Sequence, residues 1–236
     1  MELIEAEAFS FDCYGTLVDW ESGLLAVLRP WARSRNVPLD DESLLEAYGR
    51  HEEAAERGHP SELYPLILAR TFRALGAEVG GDVTDADAER LARSVPDWPA
   101  FPDSHEALVA VGRRARLIVL SNVDRDSFAG SARRLGVTFT SVLTAQDIGS
   151  YKPSPRNFTA LLAEARRLGV QEGRLVHVAQ SLFHDHVPAQ AAGLRTVWIN
   201  RRHGRPGGGA TRMPATAVRP DWEFDSMAAL AAAVGG

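Results

Sequence analysis

Cysteine is nearly absent: Cys13 is the one example in 236 residues. A single thiol excludes an internal disulfide and fits a reducing compartment. Long apolar runs are missing too, and nothing approaches the ~18 residues of a membrane span. The sequence opens Met1-Glu2-Leu3-Ile4-Glu5, without a basic segment followed by an apolar one, so a cytoplasmic protein is expected. Positive charge is not in excess: 26 Lys and Arg face 31 Asp and Glu, for a net charge of -5. That balance gives no electrostatic reason to expect nucleic acid or an anionic membrane as a partner. No internal repeat is present. What remains is an ordinary globular composition, 45% hydrophobic and 24% charged, in a chain long enough to bury a real core.

The first informative stretch is Phe9-Ser10-Phe11-Asp12-Cys13-Tyr14-Gly15-Thr16-Leu17. It reads as a short buried strand that delivers Asp12 to its C-terminal end, followed by a turn that Gly15 permits. Four helical patterns follow with no strand between them. An apolar stripe from Leu24 to Trp31 is the first, and Asp40-Asp41-Glu42-Ser43 starts the second. Leu63 to Leu75 is the third, and Thr84-Asp85-Ala86-Asp87 opens a fourth that ends near Val95-Pro96. Beyond Pro102 helix and strand alternate. Strands are expected at Leu117–Leu120, Phe139–Leu143, Leu175–Ala179 and Thr196–Ile199, with helices at Ser104–Arg114, Arg125–Leu135, Asn157–Leu168 and Val187–Ala192. Such alternation implies an α/β protein with a parallel sheet covered by helices on both faces. The helical block, 16–96, is then an insertion into a core made of 1–15 and 97–236. Residues 201 to 220, rich in Arg, Gly and Pro, read as a flexible, solvated surface loop. Asp221–Phe224 is a candidate edge strand, and Met227–Val234 a closing helix.

In this architecture strand ends converge on one rim, where ligands bind. Asp12 is a candidate nucleophile there, or a carboxylate that only caps its turn. Ser121-Asn122, after Leu120, offers a hydroxyl and an amide to a carboxylate or phosphate oxygen, though the pair is also ordinary turn chemistry. Lys152 precedes Pro153, which holds it extended, and its ammonium near two carboxylates would keep Asp12 charged. Gln180-Ser181-Leu182-Phe183-His184-Asp185-His186 follows the strand ending at Ala179. Asp185 is read as a helix-start carboxylate that pairs with Lys152 or orients a water. A zinc site is not expected, because His177 lies within a strand while His184 and His186 point apart.

Taken together, these clusters resemble the haloacid dehalogenase superfamily, and within it the 2-haloacid dehalogenase-like (type II) hydrolases. The resemblance spans nearly the whole chain and rests on Phe11 to Leu17, Ser121-Asn122 and Lys152-Pro153. It implies a Rossmann-like core with an inserted helical cap. Phosphatases of this superfamily carry a second aspartate two residues after the nucleophile, where Tyr14 stands here, and their magnesium-dependent members open the fourth motif with an acid, where Gln180 stands. The resemblance therefore implies metal-independent attack at carbon, with no cofactor. Asp12 would attack the alpha carbon of a small 2-substituted carboxylic acid, and water would then hydrolyse the aspartyl ester. Lys152 would supply charge and Asp185 would position the water. Tyr14, Thr16, Trp20, Ser121, Asn122, Gln180 and His184 would hold the nucleophile or line the substrate pocket, Trp20 alternatively packing the cap hinge. Halide release is the first expectation; opening of azetidine-2-carboxylate, a magnesium-dependent phosphatase and a non-catalytic binding module are the alternatives. The sequence departs from the dehalogenase pattern at Phe158, Gln180 and Leu182, where the family has tyrosine, serine and asparagine. For the cap arginine that binds halide in the family, Arg50 and Arg57 are candidates. A homodimer is compatible with the resemblance.

Overall fold

A computed structural model describes residues 2–204 and 208–235. The strands are β1 (Ala8–Phe11), β2 (Arg116–Ser121), β3 (Ser141–Thr144), β4 (Leu175–Ala179), β5 (Arg195–Ile199) and β6 (Trp222–Phe224). All pair in parallel, in the order β3-β2-β1-β4-β5-β6. The chain steps outward from β1 through β2 to β3, then crosses back to β4 on the other side of β1. That reversal opens a crevice at the C-terminal ends of β1, β2 and β4. Every residue of β1 is buried, as expected of a central parallel strand covered on both faces. Phe9 and Phe11 are wholly buried, and each contributes roughly 1.5–3 kcal/mol by leaving water.

Of the α-helices between β1 and β2, the first four are α1 (Trp20–Ser34), α2 (Asp41–Gly58), α3 (Tyr64–Val79) and α4 (Asp85–Ala92). Their starts are set by side chains that satisfy the first free N–H groups. Asp19 accepts from Ser22 N, Asp40 accepts from Ser43 N, and Thr84 forms a reciprocal capping box with Asp87. Leu28, Trp31, Leu44, Tyr48, Ile67, Phe72 and Leu75 bury the facing stripes. Trp31 meets Phe72 edge-on with ring centroids 4.9 Å apart. The remaining helices are α5 (Ser104–Gly112), α6 (Arg125–Leu135), α7 (Ala145–Ile148), α8 (Pro155–Arg167), α9 (Val187–Ala191) and α10 (Met227–Gly235). Among the described residues no helix is long and apolar enough to cross a membrane.

Two expectations need correction, and one turn was not foreseen. The third strand starts at Ser141 rather than Phe139, and the partly buried Phe139 packs edge-on against Phe128, with centroids 5.8 Å apart. Before α9 the chain makes one wide π-helical turn over Leu182–His186, a local widening that helices show mostly at functional sites. The segment after β5 is not a free surface loop. Arg201 donates to the Thr16 carbonyl at 2.9 Å and lies 4.1 Å over the Phe101 ring. Arg202 pairs with Glu21 and Glu42, Gly209 N donates to Glu42, and Arg212 pairs with Glu53. These contacts fold the segment back onto α1 and α2; residues 205–207 lie outside the described residues.

Candidate active site

Three charged side chains meet in the crevice. Asp12 follows β1, Lys152 comes from the loop after α7, and Asp185 sits in the wide turn after β4. Lys152 Nζ donates to Asp12 Oδ1 at 2.9 Å, to Asp185 Oδ1 at 2.7 Å and to the Leu120 carbonyl at 3.1 Å. All three are buried, with Lys152 only 2% exposed. Burial opposes the Lys152 ammonium, but the two carboxylates outweigh it and hold its pKa above the ordinary value. Burial likewise opposes ionisation of Asp185, yet the Lys152 charge and the His177 N–H leave its carboxyl well below the usual range. Burial raises the Asp12 carboxyl against the pull of Lys152. Of the two carboxylates, Asp12 is the closer to taking a proton.

Asp12 Oδ2 accepts from Thr16 Oγ1 at 2.7 Å, and the Thr16 hydroxyl accepts in turn from Gln180 N at 2.9 Å. Thr16 therefore holds the carboxylate. Gly15 permits the tight turn between them: its φ is +91°, and a Cβ there would lie 3.0 Å from Trp20 Nε1. Asn122 grips the lysine loop, accepting from Lys152 N at 2.7 Å and donating to the Lys152 carbonyl at 3.1 Å. Its amide also reaches Glu56, at 3.2 Å. Ser121 is buried, and its hydroxyl has no partner. Gln180 Oε1 accepts from Thr211 at 3.1 Å, and Trp20 stands edge-on to Tyr48. His184 Nδ1 is 3.2 Å from Ser181 Oγ, and burial pushes its pKa down to about 4, leaving a neutral ring. Tyr14 lines the cavity, but its hydroxyl turns away to Ser131 at 2.8 Å and its ring packs edge-on against Trp98.

A cavity of about 60 Å³ lies against Asp12, Lys152 and Asp185, and Tyr14, Trp20, Asn122, Gln180 and His184 share its wall. Thr16 and Ser121 stand behind that wall. The cap arginine candidates are elsewhere: Arg50 is exposed and pairs with Glu78, and Arg57 is exposed and pairs with Glu53. The cap instead contributes two carboxylates, Glu52 and Glu56, with Tyr64. Glu52 Oε1 accepts from Tyr48 at 3.0 Å and Tyr64 at 2.8 Å. Burial lifts Glu52 to about 7 against those hydroxyls, and burial together with the Glu52 charge lifts Glu56 well above its ordinary value.

Sequence reading missed this pair, though the signal existed. Leu44, Tyr48, Glu52 and Glu56 recur every four residues, so the glutamates continue the buried face of α2. It also missed His177, whose Nε2 lies 2.9 Å from Asp185 Oδ1 and whose Nδ1 lies 2.9 Å from Ser10 Oγ. Phe158 packs edge-on against that imidazole, with centroids 5.3 Å apart.

The donor set does not fit a magnesium ion, which takes hard oxygen ligands. The Lys152 ammonium occupies the space between Asp12 and Asp185, and the positions of the expected further acids hold Tyr14 and Gln180. Among the described residues no group of three or more His, Cys, Asp or Glu side chains could hold a metal.

The sequence profile of the haloacid dehalogenase-like hydrolases matches residues 6–193. The chain belongs to that family. Among curated proteins it is similar to mouse haloacid dehalogenase-like hydrolase domain-containing protein 3, 25% identical over 185 residues and 71% of each chain. Three solved structures share the haloacid dehalogenase-like fold. A defluorinating L-2-haloacid dehalogenase has a TM-score of 0.77 and 22% identity, over 98% of this chain and 96% of its own. The Xanthobacter autotrophicus L-2-haloacid dehalogenase with chloropropionic acid covalently bound has a TM-score of 0.78 and 19% identity, over 98% and 99%. The putative hydrolase YfnB of Bacillus subtilis, bound to magnesium, has a TM-score of 0.75 and 18% identity, over 97% and 98%.

Proposed function

We propose that this haloacid dehalogenase-like hydrolase acts without metal at the alpha carbon of a small 2-substituted carboxylic acid. The observation that carries the reading is that Tyr14 and Gln180 stand where the magnesium-dependent phosphatases of the superfamily carry acids, while the Lys152 ammonium bridges Asp12 and Asp185. An Asp12 oxygen forms a bond to the alpha carbon as the bond to the leaving group breaks, giving an aspartyl ester and, with a halogen substituent, halide. Water then adds to the ester carbonyl. The 2-hydroxy acid departs, a proton is released, and one carboxylate oxygen of Asp12 now comes from water. Lys152 and Thr16 hold Asp12 in its charged form, Asp185 fixes Lys152 and positions the water, and the turn after Asp12 holds the substrate carboxylate. The covalently bound chloropropionic acid named for the Xanthobacter enzyme fits the same chemistry on the same fold.

Opening of azetidine-2-carboxylate is the second reading. It is favoured by the protonatable Glu52 and Glu56 beside the nucleophile, since a ring nitrogen leaves as a base. Turnover in ¹⁸O-water without metal, with 2-chloropropionate, fluoroacetate and azetidine-2-carboxylate in turn, tests both. Mass spectrometry is expected to find label in the Asp12 carboxylate. Turnover without label there, or only of p-nitrophenyl phosphate with magnesium, defeats the proposal.

A further inference from the structure

One buried side chain touches the charged trio without belonging to it. His177 lies within β4, and the parallel register sets it beside Ser10 of β1. Paired residues of neighbouring strands project from the same face of a sheet, and the Ser10 hydroxyl stands 2.9 Å from His177 Nδ1. The other ring nitrogen, Nε2, lies 2.9 Å from Asp185 Oδ1. Phe158 of α8 packs against the ring at an interplanar angle of 85°, and Ser10, Phe158 and His177 are wholly buried. A strand backbone, a cross-strand hydroxyl and an aromatic neighbour thus fix the imidazole before any ligand arrives.

The proton between His177 and Asp185 can be placed. Asp185 is held well below the usual carboxylate range, and an ionised carboxylate only accepts hydrogen bonds. His177 Nε2 is therefore the donor. Asp185 Oδ1 takes that N–H together with the Lys152 ammonium, at 2.9 and 2.7 Å. Both donors fall on one oxygen, and Asp185 borders the cavity, so Oδ2 is left to accept from a water there. Lys152 alone would not settle which oxygen that is. Its long side chain also serves Asp12 and the Leu120 carbonyl, and a carboxylate can pivot about a single donor. The second donor comes from a central strand.

We infer that His177 is a positioning residue for the second half of the reaction: with Ser10 behind it, it turns Asp185 so that Oδ2 meets the water that hydrolyses the Asp12 ester. In that step the water oxygen bonds to the ester carbonyl carbon, and the bond from that carbon to the oxygen of the 2-hydroxy acid breaks. One water proton ends on the departing hydroxyl and the other is released, so Asp12 returns as a carboxylate. Attack of Asp12 on the alpha carbon uses no water and does not call on this orientation. The inference rests on the proposed ester chemistry, and it requires the two steps to separate when His177 is changed.

Rapid quenching followed by intact-protein mass spectrometry gives the rate constants for forming and hydrolysing the ester, with 2-chloropropionate or whichever acid labels Asp12 in ¹⁸O-water. His177→Phe keeps a ring and removes the donor. It is expected to slow hydrolysis at least about tenfold, the scale of a hydrogen bond to a charged group, while ester formation changes by less than about threefold. His177→Gln, which still presents an N–H to Asp185, should restore most of the hydrolysis rate. Ser10→Ala should slow hydrolysis alone, by about threefold. Equal losses in the two rate constants, or an unchanged rate of hydrolysis, overturn the inference. A measurement on wild-type protein needs neither substrate nor a variant that folds. Long-range ¹H–¹⁵N spectra of protein labelled with ¹⁵N-histidine should show a proton on His177 Nε2, identified through its contact with the Phe158 ring; an unprotonated Nε2 overturns the inference as well. Wild type that forms no ester from any of the three acids rejects the proposed function and, with it, the step assigned to His177. Ester on wild type with equal losses in His177→Phe rejects the inference alone.

Discussion

Replacing Lys152 by methionine keeps the volume of the side chain and removes the charge that Asp12 and Asp185 share. Both carboxylates accept from the one ammonium, at 2.9 and 2.7 Å, and are almost wholly buried. Without it, two like charges face one another out of water, and the folded variant will take up one proton to relieve them. An aspartate in the unfolded chain ionises near pH 4, so each pH unit above that adds about 1.4 kcal/mol to the cost of holding the proton. At pH 7 the cost is about 4 kcal/mol, within the range of roughly 3–5 kcal/mol for breaking a buried pair. The sign follows from the raised pKa. The penalty is small at pH 4 to 5 and grows as the pH rises, whereas the wild-type Asp185, held well below its ordinary value, stays ionised throughout. Urea unfolding followed by tryptophan fluorescence between pH 5 and 7 should show the gap widening by about 3 kcal/mol. Adding Asp185→Asn should close most of it. Parallel stability curves for Lys152→Met and wild type would refute the shared-charge account.

Thr16→Val removes the hydroxyl between Asp12 Oδ2 and Gln180 N. It should cost about 1–2 kcal/mol of stability, with kcat reduced more than KM is raised in steady-state kinetics on whichever substrate labels Asp12. Glu52→Gln preserves an acceptor for Tyr48 and Tyr64 but cannot ionise. The Glu52 carboxyl is raised to about 7, so its ionisation destabilises the fold increasingly from pH 5 to 7 and by a constant amount above. The variant should gain on wild type by up to about 3 kcal/mol between pH 5 and 8; a gain that does not grow with pH refutes the assignment. Gly15→Ala forces a side chain into φ +91° against Trp20. A loss of at least about 1 kcal/mol is expected in chemical denaturation.

The core and the polar end of each strand were legible because both are local. A buried apolar run followed by Asp12, by Ser121-Asn122 or by Gln180 to Asp185 places chemistry at a strand end whatever the rest of the chain does. Lys152 could be paired with two carboxylates because the alternation of helix and strand already sets which ends meet. The cap half of the site was illegible for the opposite reason. The apolar face of α2 stops at Tyr48, so only its four-residue spacing carries on to Glu52 and Glu56, and Arg50 and Arg57 were named instead for the charge a halide would need. The segment after β5 misled because its glycines and prolines describe local bends. Its anchors, Glu21, Glu42 and Glu53, lie about 150 to 190 residues away in the sequence. His177 was passed over because a histidine in a buried strand signals nothing until Ser10 and Asp185 are seen on either side of it.

The same returning segment has a mechanical consequence. Its Ala210 backbone presses on Gly49 of α2 so closely that a Cβ there would come within 2.1 Å of the Ala210 carbonyl oxygen. At the next residue, Thr211 donates to Gln180 at the cavity wall. Arg202 and residues 209–212 therefore work as a strap across the helix that carries Glu52 and Glu56. Cap and core are joined through the polypeptide before and after α1–α4, and a third time by this strap, far along the chain. Any swing of α2 away from Asp12 has to unload the strap first. A single methyl group at position 49, which is no part of the cavity wall, would push the strap off α2.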